Sequence, residues 1–268
     1  MRRFLALAAC ICTVSMTGRA AATDGSTVWT AQSGDVSAEL TARPRSEYGY
    51  ADFHVKIVRA GAALLDAPAP PFFFADAYLP GADRPVTVRD LDGDAEPEVV
   101  FDLYTGGAHC CVFSVVYRYD AARTAYTGAR QDWGNEGYLL RDLDGDGLPE
   151  LRSGDDRFNY EFTFYAASFS PIQIWRYRGG ELTDVTRSFP SMVRKDAAAL
   201  WRAYARIARS AYDWSEVRGV LAAWLADRYL LGEGKDGWKR VRAVYHGKDR
   251  NGYLEHLTRF LARTGYIR

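Results

Sequence analysis

Two hydrophobic rhythms divide the chain. In the first, apolar residues recur at every second position. Asp35-Val-Ser-Ala-Glu-Leu-Thr-Ala-Arg43 alternates in this way, as does Phe53-His-Val-Lys-Ile-Val-Arg59. Ala60-Gly61 is a turn signal, and Ala62 to Leu65 returns as the partner strand of a hairpin. Pro68 to Pro71 reads as a breaker-rich connection. Ser114-Val-Val-Tyr-Arg-Tyr119 and Ile172-Gln-Ile-Trp-Arg-Tyr177 match in chemistry, and turn residues follow each of them (Asp120 to Arg123, Arg178 to Glu181). The aromatic run Phe158 to Tyr165 alternates too and predicts a buried strand pair.

After Pro190 the period lengthens to that of a helix. Residues 196–212 place Leu200, Trp201, Tyr204, Ile207, Ala208 and Ala211 on one face. A second helix over 215–231 turns Val217, Val220, Leu221, Trp224, Leu225 and Leu231 inward, and Gly232 stops it. Asp236 is placed to cap a third helix ending before Gly247. Asn251 is placed to cap a fourth that carries Tyr253, Leu254, Leu257, Phe260 and Leu261 and stops at Gly265. The predicted fold is α+β. A β-rich domain spans 23–190, built as an incomplete propeller-like or sandwich-like set of antiparallel sheets, and a small helical bundle spans 191–268. The Trp-rich helical face reads as core.

One nine-residue sentence is written twice, as Asp90-Leu-Asp-Gly-Asp-Ala-Glu-Pro-Glu98 and Asp142-Leu-Asp-Gly-Asp-Gly-Leu-Pro-Glu150. Acidic side chains at positions 1, 3, 5 and 9 of one tight loop repel each other unless a cation sits among them. An all-oxygen donor set of this size suits calcium, which accepts about 6–8 flexible oxygen ligands. Glycine at position 4 permits a tight turn, and proline at position 8 launches the chain extended into a strand. The copies differ at position 6, Ala95 against Gly147. If that position needs φ > 0, alanine costs about 1 kcal/mol, which predicts tighter binding by the second loop. A helix-flanked EF-hand is a poor fit, because position 12 holds Phe101 and Ser153 rather than a bidentate glutamate.

The pattern resembles the calcium loop of FG-GAP and VCBS-type repeats, as found in integrin α-subunit propellers. That resemblance covers about residues 86–190, as two repeats at about 86–136 and 137–190. It implies side-chain ligands at positions 1, 3, 5 and 9 and a carbonyl ligand at position 7. Here these are Asp90, Asp92, Asp94, Glu98 and the backbone of Glu96, then Asp142, Asp144, Asp146, Glu150 and the backbone of Leu148. A closed propeller needs typically 4–8 blades, and two loops fall short of that.

The N-terminus reads as an export signal over residues 1–22. Arg2 and Arg3 precede an apolar run from Phe4 to Met16, and Ala20-Ala21-Ala22 supplies the small residues for cleavage after Ala22. The run falls short of the ~20 residues that span a bilayer. Leu7-Ala-Ala-Cys10 resembles a lipoprotein box, but the six residues between Arg3 and Cys10 make a short apolar region, so anchoring at Cys10 is disfavoured. Cleavage leaves Cys110 and Cys111, adjacent in sequence. They form either a vicinal disulfide in a distorted turn or two separate thiols, and a disulfide framework for the fold is excluded. Charge is divided between the two regions: 15 Lys+Arg against 26 Asp+Glu over 23–190, and 16 against 8 over 191–268. Docking of the basic segment on the acidic one explains this balance without a nucleic-acid partner.

Catalytic constellations are sparse. Asp102, His109 and Cys110 offer an orienter, base and nucleophile, but adjacent side chains on a strand diverge. The four histidines make no zinc spacing. Asp155 and Asp156, with Asp132, Glu136 and Glu161 near the aromatic run, offer paired acids for glycoside hydrolysis. The expectation is therefore an exported, secreted or periplasmic calcium-binding β-repeat protein. Its metal is structural, it has no membrane span after signal cleavage, and its partner is an envelope glycan or protein. The alternative is a secreted hydrolase of envelope polysaccharide using Asp155, Asp156 or Glu161.

Overall fold

The computed structural model describes residues 16–21, 24–45, 49–69, 85–107, 110–210 and 213–267. Residues 1–15 and 22–23, which hold most of the expected signal, Cys10 and the cleavage point, lie outside it. So do Pro70 and Pro71 of the proline-rich connection. The chain divides into two compact units, Met1–Asp132 and Trp133–Arg268. The second repeat and the helices therefore belong to one body.

The first unit holds two antiparallel sheets. Strands β1 (Met16–Ala21), β2 (Thr27–Ser33), β3 (Val36–Pro44), β4 (Tyr50–Arg59) and β5 (Ala62–Pro68) form a meander in chain order. The last residues of the expected signal thus pair, as β1, with β2. The β4–β5 turn places Ala60 and Gly61 at φ +48° and +81°, as the turn signal requires. Strands β6 (Val86–Arg89), β7 (Glu98–Gly107), β8 (Cys110–Asp120) and β9 (Ala125–Gly134) form the second meander. Alternation decides which residues are buried. Val36, Leu40, Val55 and Ile57 of the first sheet share one core with Val88, Phe101, Leu103 and Phe113 of the second.

The second unit opens on another four-stranded meander, β10 (Leu139–Arg141), β11 (Glu150–Gly154), β12 (Ile172–Arg178) and β13 (Glu181–Asp184). Four helices follow: α1 (Pro190–Ser210), α2 (Arg218–Leu230), α3 (Gly234–Val244) and α4 (Arg250–Arg263). Proline at the first position of α1 costs no hydrogen bond, so that helix starts earlier than its apolar stripe. Gly232 and Gly265 end α2 and α4 at φ +76° and +83°, as expected. The expected caps are different residues. Glu233 and Asp249 precede α3 and α4 and make no side-chain cap bond, while Asp213 closes a capping box ahead of α2. Val220, Leu221, Leu225, Leu257 and Leu261 are buried in one helical core.

The aromatic run departs from the predicted strand pair. It forms two short 3-10 turns, Asp156–Phe158 and Tyr165–Ala167, with Tyr160 at φ +63°. Phe158 and Phe162 are buried in the helical core, whereas Tyr160 and Phe164 are exposed. Capping of the first turn by Asp155 breaks the extension that period-two alternation suggests. The fold class is therefore α+β, with antiparallel sheets followed by helices and no closed barrel among the described residues.

Candidate metal centre

Each acidic sentence joins the first two strands of a four-stranded meander, β6 to β7 and β10 to β11. The registers agree, since Arg89 lies opposite Glu98 and Arg141 opposite Glu150. Each loop winds around its own first aspartate. Asp90 accepts the Gly93 N–H at 2.7 Å and the Ala95 N–H at 3.0 Å. Asp142 accepts the Gly145 and Gly147 N–H groups at the same two distances. Position 4 is left-handed in both (Gly93 and Gly145, φ +82°), and so is position 6, at +68° for Ala95 and +92° for Gly147. The requirement for φ > 0 at position 6 therefore holds, and Ala95 meets it under strain.

The three aspartates of each loop converge. Ligand oxygens of Asp90, Asp92 and Asp94 lie within 4.8 Å of one another, as do those of Asp142, Asp144 and Asp146. The ninth residue closes each loop from below. One oxygen of Glu98 accepts the Leu91 N–H at 3.0 Å, and one of Glu150 accepts the Leu143 N–H at 2.9 Å. Both glutamates are 0% exposed. At position 7 the Glu96 side chain pairs with Arg59, while the Leu148 N–H donates to Asp146.

The loops part company in their cations. Glu150 lies directly across from Arg176 of β12, whose guanidinium grips Glu150 Oε1 and Asp144 Oδ2 (2.7 Å) and stands 3.8 Å from Asp146. Burial works against it, yet Arg176 and the Asp146 N–H hold the Asp144 carboxyl below its usual range. In the first loop Glu98 Oε1 has no hydrogen-bond partner. Burial, reinforced by the Asp92, Asp94 and Asp90 carboxylates, pushes Glu98 up to about 8 against the pull of the Leu91 N–H. A buried anion in that position is compensated by a proton or by a bound cation.

The expected catalytic acids are engaged elsewhere. Asp155 is 2% exposed and accepts from the Arg157 guanidinium (2.6 Å) and the Tyr266 hydroxyl (2.9 Å). Asp156 accepts the Asn135 N–H and the Asn159 amide, each at 2.8 Å. Glu161 pairs with His256 at 2.6 Å and with Arg263. Asp132 pairs with Arg130, and Glu136 accepts from Ser170 and Asn159. All three hydrolase candidates thus serve as caps or ion-pair partners that brace the second unit. Asp102 accepts from Ser114, while His109 and the Cys110 side chain fall outside the described residues. Cys111 is disulfide-bonded.

Two features escape sequence reasoning. Arg118 and Arg176 occupy matching places in the two repeated strand segments, and that repeated arginine was the available signal. The other is a carboxyl pair, Asp196 of α1 and Asp227 of α2. Asp227 is 0% exposed, no N–H or hydroxyl donates to either of its oxygens, and a hydrogen bond between it and Asp196 requires that one of the two carboxyls carry a proton. Burial, with Asp196 opposite, raises Asp227 well above the carboxylate range, and burial also raises Asp196. No spacing rule links residues 31 positions apart on separate helices.

Residues 193–265 match the family described as the sll0997 C-terminal domain. The chain is 33% identical over 223 residues to "Probable thylakoid lumen protein sll0997" of Synechocystis, covering 80% of this chain and 62% of that protein. It is 35% identical over 154 residues to "Uncharacterized protein y4bJ" of Sinorhizobium fredii, covering 56% of this chain and 24% of that one. The chain therefore spans less than two thirds of either relative's length. No solved structure matches. What the comparisons show is similarity of residues 193–265 to the sll0997 C-terminal domain and of 80% of the chain to the Synechocystis protein.

Proposed function

We propose that the chain is an exported, calcium-stabilised β-repeat protein of the FG-GAP and VCBS type, acting as a binding module of the envelope. The observation that carries this reading is the hydrogen-bond skeleton common to the two loops, which gathers three aspartates over a buried glutamate in each. The residues fit a hard cation. Asp90, Asp92, Asp94 and Glu98, with Asp142, Asp144, Asp146 and Glu150, are all-oxygen donors, and Glu98 has an oxygen without a partner. Calcium bound there would supply charge compensation and rigidity, not chemistry. The placement of Asp155, Asp156 and Glu161 in caps and ion pairs weighs against the hydrolase alternative.

Export is supported by the N-terminal signal pattern and by the Synechocystis relative, named a probable thylakoid lumen protein. Among the described residues no helix is long and apolar enough to cross a membrane. A binding role is supported by a groove of about 560 Å³ on the helices, where the Trp201 and Trp224 rings lie 4.7 Å apart between centres and are flanked by Arg194, Arg228 and Arg240. Tryptophan and arginine in this combination suit an anionic glycan or an acidic protein surface.

Extracellular calcium sites bind at roughly 10⁻⁴–10⁻³ M. The melting temperature of the protein is expected to fall in EGTA and to recover with excess calcium. A melting curve indifferent to both, with no calcium in the native mass spectrum, overturns the reading.

A further inference from the structure

We propose that Arg176 is a resident counter-cation of the second loop, so that calcium enters the Asp90–Glu98 loop first and must displace a guanidinium to enter the other. This rests on the calcium reading above and adds an order of occupancy to it.

The geometry of the second loop is that of a site already neutralised. Arg176 projects from the residue directly opposite Glu150 and donates to Glu150 and to Asp144 at 2.7 Å, with Asp146 3.8 Å away. Three of the four carboxylates that would bind the ion therefore face one guanidinium. Charge-assisted bonds of this kind are the strong ones, and calcium cannot take those oxygens while they are held.

In the first loop the corresponding arginine does not engage in this way. Tyr117 pairs with Val99, which sets Arg118 across from Glu98. Yet Arg118 comes only within 3.8 Å of Asp94, and the neighbouring Arg59 is drawn to Glu96 and Asp35. Glu98, fully buried, directs one oxygen to the Leu91 N–H at the start of the loop and leaves the other without a donor. That orphan oxygen is an observation separate from the aspartate cluster, and it points to a cation.

This order is the reverse of the one the glycine at position 6 predicts. Ala95 is held at φ +68° by the loop's own hydrogen bond from its N–H to Asp90. Its strain is borne on folding, in the free and bound states alike, and so largely cancels from the binding equilibrium. Displacement of Arg176 is borne on binding alone.

Calcium titration of the full chain by calorimetry, with native mass spectrometry to count ions, tests the proposal. The wild type is expected to bind in two unequal steps. Glu98→Gln should abolish the tighter step, and Glu150→Gln should leave it in place. Arg176→Gln should strengthen the weaker step by about tenfold or more, with the tighter step unchanged. Arg176→Lys, which keeps a charge but loses the planar fork, should give a smaller gain in the same direction and serves if the glutamine variant fails to fold. Loss of the tighter step in Glu150→Gln, two equal steps in the wild type, or a weaker step indifferent to both Arg176 variants would overturn the proposal while leaving calcium binding intact. No calcium bound by any of these proteins would sink the calcium reading itself.

Discussion

At the residue scale, the loops show how identical spacing produces unequal sites. The Asp-x-Asp-Gly-Asp pattern prescribes its own turn, because the first aspartate can accept amide N–H groups only where positions 4 and 6 are left-handed. Glycine meets that demand freely, and Ala95 meets it at φ +68°. Ala95→Gly is therefore expected to stabilise the calcium-free protein by about 1 kcal/mol, less the entropy that glycine adds to the unfolded chain. Urea denaturation in EGTA reads this directly, and an unchanged or lowered midpoint would show that the left-handed alanine carries no strain.

At the element scale, the strands and helices follow hydrophobic period closely wherever the period is long. The stripes of Val220, Leu221 and Leu225, and of Leu257, Phe260 and Leu261, are buried as their spacing requires. Short, cap-rich stretches follow other rules. Phe158 to Tyr165 has the alternation of a strand, but Asp155 accepts the Arg157 N–H and turns the chain at the start of the run. Phe158 then stands edge-on to Phe260 with ring centres 4.7 Å apart and to Tyr266 at 5.7 Å. Phe158→Ala is expected to cost about 3–5 kcal/mol through the cavity it opens. Chemical denaturation checks this. A cost under about 1 kcal/mol would place the ring outside the cooperative core.

At the scale of the whole molecule, the second unit carries a device of its own. Asp196 and Asp227 face each other between α1 and α2, and the charges around them are mixed: Arg152 favours ionised Asp196, Glu136 opposes it, and Tyr266 lies near Asp227. Both carboxyls are raised in the folded state, so the folded chain holds a proton that the unfolded chain releases. Stability from the pair is fully present at low pH and is lost as pH rises above the ordinary carboxylate range through the raised folded values. Unfolding free energy measured from about pH 4 to about pH 9 should decline toward the alkaline side, and Asp227→Asn should flatten that decline. A variant that retains the full slope would remove the pair as its source.

The division of labour between sequence and tertiary structure follows from distance along the chain. Loop winding, strand alternation, helix faces and the glycine stops depend on residues within one or two turns of each other, so contiguous spacing alone determined them. The proposed order of calcium entry did not yield to the same reasoning. It depends on Arg176 reaching Asp144, 32 residues away, and on Arg118 failing to reach Glu98, and strand register with side-chain competition decided both. The carboxyl pair on α1 and α2 and the enlistment of Asp155, Asp156 and Glu161 as braces were likewise settled only when the chain packed. Coulomb and hydrogen-bond energies depend on separation in space, and only the folded chain turns a sequence interval into that separation.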